Sequence, residues 1–421
     1  MKIAVIGTGI AGNVAAYKLR QRHDVTVFEA GTYIGGHTNT VDVFDGGKKY
    51  AIDTGFIVFN DRTYPNFIKL LNEIGQESQA SEMSFSVQSD NLEYNGRSLD
   101  ALFAQRSNLL RPRFYGMVRD ILRFNKEATA KAETIPDVTL EEYFARHRYG
   151  QAFLDSYLVP MAAAIWSAEP KQVLDMPAKF LFQFFRNHGL LQVKDRPIWR
   201  VIKGGSREYV RKLVAGHRDS IRLNSPVYEV SRRATGVQIR SAGSEIETFD
   251  AVFFACHSDQ ALAMLSKPNR LETEVLGAIK YQANEAILHS DERLMPKRRK
   301  AWAAWNYHVP ADPKRHVAVT YNMNILQNLR AAQQYCVTLN NAGEIRSDRI
   351  IKRVRYEHPM ITQDAVRAQQ RQKEINVDRF FFCGAYWRNG FHEDGVVSAL
   401  TAVQHFEEWQ KHEELHIRRA S

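Results

Sequence analysis

The sequence is poor in cysteine: 3 in 421 residues, at Cys256, Cys336 and Cys383, with no CxxC pair. An odd count without paired spacing argues against a disulfide framework and against a structural zinc site of the usual ligand spacing. It fits a reducing compartment. Long apolar runs are missing as well. No stretch reaches the roughly 18 uncharged apolar residues that a membrane-crossing helix needs. The start, Met1-Lys2-Ile3-Ala4-Val5-Ile6, holds one lysine and a short apolar strand. It lacks the longer apolar region and small-residue cleavage site of a secretory leader. A cytoplasmic protein is expected. Internal repeats and low-complexity segments are also lacking.

What is present is ordinary for a globular chain: 44% hydrophobic and 25% charged residues. A length of 421 residues suggests two domains. The net charge is +10. Two clusters contribute, Arg293 with Lys297, Arg298, Arg299 and Lys300, and the end His416-Ile417-Arg418-Arg419. Their simplest reading is solvated loop and tail. The functional alternative is attraction to an acidic substrate or to anionic lipid, which would place the protein peripherally on the inner face of the membrane. No nucleic-acid-binding motif accompanies the charge, so no nucleic-acid partner is expected.

The opening reads as a compact βαβ unit. Lys2 to Ile6 is a strand, Gly7-Thr8-Gly9-Ile10-Ala11-Gly12 follows, and Val14, Ala15, Ala16 and Leu19 give a helical apolar face. Val25-Thr26-Val27-Phe28 is a second strand ending at Glu29. Further on, Thr139-Leu140-Glu141-Glu142 is a capping box that opens a helix. Residues 152–191 are rich in Phe, Leu, Met and Ala and read as helical. Residues 221–254 alternate and read as strands, and another strand-rich patch spans 284–339. Arg379-Phe380-Phe381-Phe382-Cys383 is a buried-strand pattern, with a helix starting near Gly395.

The glycine motif carries the first chemistry. A lone GxGxxG is weak, but this one leaves a strand, opens a helix, and is followed by an acidic residue at the end of the next strand. Gly7 permits the turn, Gly9 lets backbone approach a pyrophosphate, and Gly12 allows close helix–strand packing. The helix start offers free N–H groups and partial positive charge to phosphate. Glu29 would accept from ribose hydroxyls and disfavour a 2′-phosphate. A second glycine pair, Gly35-Gly36-His37-Thr38, and then Asp53-Thr54-Gly55-Phe56 extend the cradle beyond what NAD uses. They suit the longer FAD.

At this point the sequence resembles a known group. Glu29-Ala30 followed by Gly35-Gly36 is similar to the FAD fingerprint of the flavin-containing amine oxidase superfamily, which includes amine oxidases, protoporphyrinogen oxidase and phytoene-type desaturases. Trp199 to Ser206, with Gly204-Gly205, resembles the segment that leads back into the FAD domain. Ser225-Pro226-Val227 resembles the strand whose valine backbone holds the adenine. Phe382-Cys383-Gly384 and Glu393-Asp394-Gly395-Val396-Val397-Ser398 resemble the closing FAD motif, where helix N–H groups face the flavin pyrimidine. The resemblance implies cofactor contacts from Gly7, Gly9, Ile10, Ala11, Gly12, Glu29, Ala30, Gly35, Gly36, His37, Thr38, Gly55, Phe56, Val227, Gly384, Ala385, Glu393, Asp394, Gly395 and Val396. Two positions depart from the family pattern: His37 stands where Arg is usual, and Ala385 where an acidic residue is usual. No cysteine occupies a position associated with a covalent flavin bond, so FAD is expected to be non-covalent.

The expected fold class is α/β plus α+β. A Rossmann-like FAD-binding domain with a central parallel sheet takes residues 1–75, 200–265 and 375–415. An inserted substrate domain of helices and an antiparallel sheet takes 76–199 and 266–374, and 416–421 form a basic tail. Several stretches resemble a narrower group: Asn284 to His289, Arg298 to Trp302 through Trp305-Asn306-Tyr307, Tyr356-Glu357-His358-Pro359, and Gly384 to Gly395. These are bacterial FAD proteins encoded beside cyclopropane-fatty-acid-synthase-like methyltransferases and implicated in flavin-dependent desaturation of fatty acyl chains. The resemblance implies a lipid or other hydrophobic substrate and a methyltransferase partner.

In such chemistry the flavin accepts a hydride, and the protein supplies position and electrostatics. Trp166, Trp305, Tyr307, Tyr321, Tyr386, Trp387 and Phe391 are candidates for an apolar wall, each equally suited to core packing. Tyr386 and Trp387 stand out because they follow the strand that ends at the flavin. His392 and Glu393 are candidates to take a proton, or else to cap the helix. His289 and His358 read as structural. Ala255-Cys256-His257-Ser258-Asp259 reads as a strand end, since the chain has no GxSxG elbow. Two other functions stay open: an amine or amino-acid oxidase, and a flavin-binding partner protein without turnover of its own, suggested by His37 and Ala385.

Overall fold

The computed structural model describes residues 1–89, 91–192, 196–309 and 318–420. The elements that build the site are, in chain order, β1 (Lys2–Ile6), α1 (Ile10–Leu19), β2 (Asp24–Phe28), α2 (Pro65–Glu73), α3 (Pro112–Lys131), β3 (Ile221–Arg222), β4 (Ala251–Phe254), β5 (Phe380–Phe382) and α4 (His392–Ala420). The five strands form one parallel sheet in the order β3-β2-β1-β4-β5. Short, continuously apolar strands such as Ala251-Val252-Phe253-Phe254 are what a sheet covered on both faces requires.

Side chains alternate across this sheet, as the pleat dictates. Ile3, Val5, Val25, Val27, Phe253 and Phe381 share a core with α1, α2 and α4. Ala4, Ile6, Phe28, Val252, Phe254, Phe380 and Phe382 share another on the opposite face. A three-stranded antiparallel sheet, Val227–Arg233, Gly236–Ser241 and Glu247–Phe249, covers that second face.

A seven-stranded sheet lies in the rest of the molecule, running in order Ile350–Pro359, Tyr281–His289, Cys336–Leu339, Ala318–Asn322, Trp305–His308, Phe85–Gln88 and Glu93–Asn95. It is antiparallel except where Trp305–His308 pairs parallel with Phe85–Gln88. The expected antiparallel sheet is present, with this one parallel pairing added. The parallel pair arises because the chain leaves this sheet after residue 95 and returns only after a long helical excursion. That excursion includes α3 and the helix Leu140–His147, whose capping box is present: Glu142 N–H donates to Thr139 Oγ1 at 3.2 Å and Thr139 N–H to Glu142 Oε2 at 3.1 Å.

His289, in this sheet, is fully buried. Its Nδ1 accepts the Asp291 N–H at 3.1 Å, so Nε2 carries the proton toward Thr338 Oγ1 at 2.7 Å. Trp305, Tyr307 and Tyr321 also belong to this sheet and its core.

Helix α4 departs from expectation at both ends. It starts at His392, ahead of Gly395, because the Asp394 carboxylate accepts the Phe391 N–H at 2.9 Å and closes a turn there. It runs on to Ala420, so residues 416–420 continue the helix and do not form a separate tail. The run Glu413-Glu414-Leu415 consists of good helix formers. Ser421 lies outside the described residues. Among the described residues no helix is long and apolar enough to cross a membrane.

The helical layer is held by aromatic packing. Phe124 of α3 is fully buried and touches the rings of Phe144, Tyr149, Phe153, Phe182 and Phe185, at centroid separations of 5.1–6.4 Å. Phe124→Ala is expected to destabilise the protein by about 3–5 kcal/mol, the usual cost of emptying such a site. Phe124→Leu should cost clearly less. Denaturant unfolding of the two variants checks this.

Candidate cofactor and active site

The site begins where β1 ends. Gly7 turns the chain with φ 106°, a conformation that side chains resist. A Cβ there would lie 2.6 Å from the Ala255 carbonyl oxygen, on the loop after β4. A Cβ on Gly12 would lie 2.0 Å from the Gly7 carbonyl, so α1 packs directly on its own entry turn. Gly9 differs. Its φ of −62° is ordinary, and a Cβ built on it meets nothing within 4 Å. The protein leaves open space in front of the helix start.

Two other glycine segments close on the same point. A Cβ on Gly36 would sit 3.1 Å from Gly9 Cα. A Cβ on Gly395, in the first turn of α4, would sit 2.5 Å from Ile10 Cγ2 and 3.7 Å from Ala11 N. Ile10, Ala11, Gly395 and Val396 thus bring two helix N-termini together, each presenting free N–H groups and partial positive charge. The open space lies at the carboxyl ends of the strands, where β1 and β4 send their chains apart. Doubly wound sheets bind dinucleotides in this position.

Glu29 ties the cradle together. Its Oε2 accepts the Thr8 N–H at 2.9 Å and the Thr8 hydroxyl, and its Oε1 accepts the Gly31 N–H at 2.7 Å. Gly35 N–H donates to Thr8 Oγ1 at 3.3 Å. Ala30 is exposed beside it. Ser225 N–H donates to the Glu29 carbonyl at 2.8 Å and Asn224 N–H to the Gly31 carbonyl at 3.0 Å, which brings buried Val227 alongside. An acidic side chain and a strand start therefore flank one end of the cradle, as an adenosine requires.

The other end is built on residues 37–38 and 54–56. Phe56 N–H donates to the His37 carbonyl at 2.8 Å. A Cβ on Gly55 would lie 2.2 Å from that carbonyl oxygen. The His37 ring stacks on Tyr356 at 4.7 Å and lies 5.2 Å from the ring of His358. The His37 Nε2 is buried without a hydrogen-bond partner. An orphaned buried polar atom costs about 1–3 kcal/mol, so a polar ligand at this cradle meets a group already waiting for one. Thr38 is buried, with its Oγ1 2.6 Å from the Tyr209 hydroxyl; both lie 3.0 Å from His392 Nε2.

The four residues expected to work on substrate separate into three places. The His392 ring stacks on Phe56 at 3.4 Å and is enclosed by Phe67 and Tyr209. Glu393 accepts from Asn66 N–H at 3.0 Å, Asn66 Nδ2 at 2.7 Å and Phe67 N–H at 2.8 Å. Its carboxylate is spent on the start of α2, a use that neither of its sequence readings, as proton acceptor or as cap of its own helix, describes. Tyr386 and Trp387, on the turn after Gly384-Ala385, are buried in the core on the far face of the parallel sheet, with Ala4, Ile6 and Phe254. This corrects their reading as a substrate wall. Their hydroxyl and indole N–H are buried without partners.

Phe391 packs into an aromatic cluster with two residues that sequence reading missed. Phe184 stacks on Phe391 at 5.4 Å, His188 on Phe184 at 3.8 Å, and Trp166 packs 4.6 Å from Phe184. Trp166 Nε1 donates to the Asn389 carbonyl at 3.2 Å, fastening this cluster to the loop before α4. The spacing Phe180, Phe184, His188 is an i, i+4 ladder that could have signalled it.

Residues 10–317, well over half of the chain, match the model of a family described as flavin containing amine oxidoreductase. The chain belongs to this family. No curated protein matches its sequence. Solved structures share the fold at low identity. Cyclohexylamine oxidase from Brevibacterium oxydans IH-35A superposes with TM-score 0.71 at 14% identity, over 97% of this chain and 99% of that one. A CLA-producing fatty acid isomerase from P. acnes gives 0.67 at 14%, over 96% and 98%. A putrescine oxidase bound to putrescine gives 0.65 at 15%, over 96% and 99%. The protein is a flavin-dependent oxidoreductase, and FAD is its cofactor.

Burial sets the charges of this amine oxidoreductase site. It holds His37 well below the ordinary histidine range, with His358 adding repulsion. It pushes His358 down to about 4 and His392 to about 3. These imidazoles are neutral at neutral pH. Asp394 moves the other way: burial raises it to about 7, against the lowering effect of the Phe391 N–H bond.

Gly9 and Gly12 separate cofactor binding from folding. Gly9→Ala is expected to keep the thermal midpoint of the flavin-free protein while flavin absorbance of the purified protein is lost. Gly12→Ala should lower that midpoint as well, since its Cβ collides with backbone. Melting curves paired with absorbance spectra decide between these outcomes.

Proposed function

We propose that this flavoenzyme removes two hydrogens from an acyl chain of a phospholipid. The observation that carries the reading is the wall of Trp166, Phe184, His188 and Phe391 beside the start of α4. It offers aromatic faces and one imidazole, which burial holds at about 4 and therefore neutral. Such a surface suits an uncharged chain and gives an ammonium group no counter-charge. The sequence resemblance to acyl-desaturating FAD proteins and the fatty acid isomerase among the structural neighbours support the same substrate class.

When bound, the flavin supplies the hydride acceptor at N5. The chain's own residues do the rest. The start of α4 orients the ring end, held from behind by His392 on Thr38 and Tyr209 and by Glu393 on α2. The aromatic wall excludes water. Forming a double bond also releases a proton. His392, at about 3, is too weak a base to hold it, and Glu393 already accepts from three donors. Asp394, raised to about 7, matches the task, since a base works best with its pKa near the working pH. The unsaturated product would pass to a methyltransferase partner.

The test is anaerobic incubation of purified holoenzyme with bacterial phospholipid. Flavin bleaching and a loss of two hydrogens per acyl chain are expected. No mass change on any acyl lipid, with peroxide release on amines, would establish the second reading, an amine oxidase. That reading is favoured by cyclohexylamine oxidase and putrescine oxidase among the structural neighbours.

A pH profile tests Asp394. The carboxylate form accepts the proton, so activity should rise with pH through about 7. Asp394→Asn should be slow and lose that rise. A rise that survives the substitution rules Asp394 out.

A further inference from the structure

The basic run at residues 293–300 is largely neutralised within the protein. Arg293 pairs with Asp291 at 2.6 Å, Arg298 with buried Glu93 at 2.7 Å and Lys300 with Asp100 at 3.0 Å. More positive charge lies on α3. Tyr115, Arg119, Leu122 and Lys126 are exposed along its outward face, and Arg113 is exposed at its first turn. The acidic residues of this helix are withdrawn from the surface: Asp120, 3.6 Å from Arg119, is buried, and Glu127 is half-buried and bonded to Tyr149. Arg113 and Lys126 have no carboxylate partner among the described residues.

The same region gathers exposed apolar side chains. Among the described residues, five of the thirteen exposed large hydrophobics fall between positions 99 and 122: Leu99, Leu109, Leu110, Tyr115 and Leu122. Leu110 is 88% exposed and Leu99 77%. They belong to one folded crest. The Tyr115 hydroxyl donates to the Leu109 carbonyl at 3.0 Å, and Arg106 donates to the Phe103 carbonyl at 3.1 Å while pairing with Asp100. Beneath them Phe114 and Met117 pack with Val87 and Tyr94 in a small core of their own. The leucines are therefore displayed on an ordered support.

We propose that this crest, Leu99 to Leu122, docks the enzyme on an anionic lipid bilayer. Leucines and a tyrosine interleaved with arginine and lysine, without an exposed carboxylate on the helix face, are what an interfacial helix presents to acyl chains and phosphate head groups together. The complement of such a face is a surface that is apolar below and negative above. A bilayer is that surface, and a protein partner would have to imitate it.

The experiment is co-sedimentation of the holoenzyme with vesicles of phosphatidylcholine alone or mixed with phosphatidylglycerol. Binding to the mixed vesicles, weakened by salt, is expected. Leu109→Ser/Leu110→Ser and Arg113→Glu/Arg119→Glu should each lower it by about tenfold. Both double variants should keep the flavin spectrum and the turnover on detergent-dispersed substrate. The proposal is overturned if wild type stays in solution with anionic vesicles, or if either double variant binds as wild type does. It is equally overturned if the leucine pair proves to hold two copies of this chain together in sedimentation velocity, with no vesicle binding. Binding is read without turnover. A failure here leaves the acyl-chain reading standing, and a failure of acyl turnover leaves this surface untouched.

Discussion

The close approach of two helix starts is the constraint on which the site depends. Gly395 lets the first turn of α4 reach Ile10 and Ala11, and Gly12 lets α1 lie on its own entry turn. Everything near the flavin is positioned from that contact. His392 reaches back to Thr38 and Tyr209, Glu393 holds the start of α2, Asp394 closes the turn onto Phe391, and Phe391 meets the aromatic wall. One helical turn thus fixes the positions of the glycine loop, the second glycine pair, α2 and the helical layer. Because each of these contacts is buried, a shift of that turn would disturb all of them at once.

The electrostatics follow from the same burial. His37, His358 and His392 stay neutral, since moving a charged imidazole out of water is costly. Positive potential for phosphate therefore comes from helix N–H groups, in place of the arginine that the family resemblance led one to expect at His37. The nearby Asp394 is the counterpart. The same desolvation that strips charge from imidazoles makes its carboxyl titrate near neutrality.

What could be read from the sequence was local. Gly7, Gly9 and Gly12 sit between a strand and a helix, Glu29 ends the following strand, and Thr139 with Glu142 caps a helix; each is a short-range pattern with its own geometry. What could not be read was long-range. Tyr386 and Trp387 follow the right strand, but the turn after Gly384 sends them into the far core, a direction that packing decides and spacing does not. Phe184 and His188 join Phe391 across more than 200 residues of sequence, and no local period encodes that meeting. Glu393 holds the start of α2, a role that depends on where the fold brings Asn66 and Phe67. The parallel pairing of Phe85–Gln88 with Trp305–His308 is likewise a property of how distant segments return.

The contact between Gly395 and Ile10 has a bearing on biosynthesis. Gly395 leaves the ribosome hundreds of residues after Gly9. During all that time the α1 start has no partner, and the parallel sheet lacks β5, its last strand. A chain without α4 lacks one of the two helix starts that form the cradle, and the fold must keep its first βαβ unit from wandering into other pairings until α4 arrives.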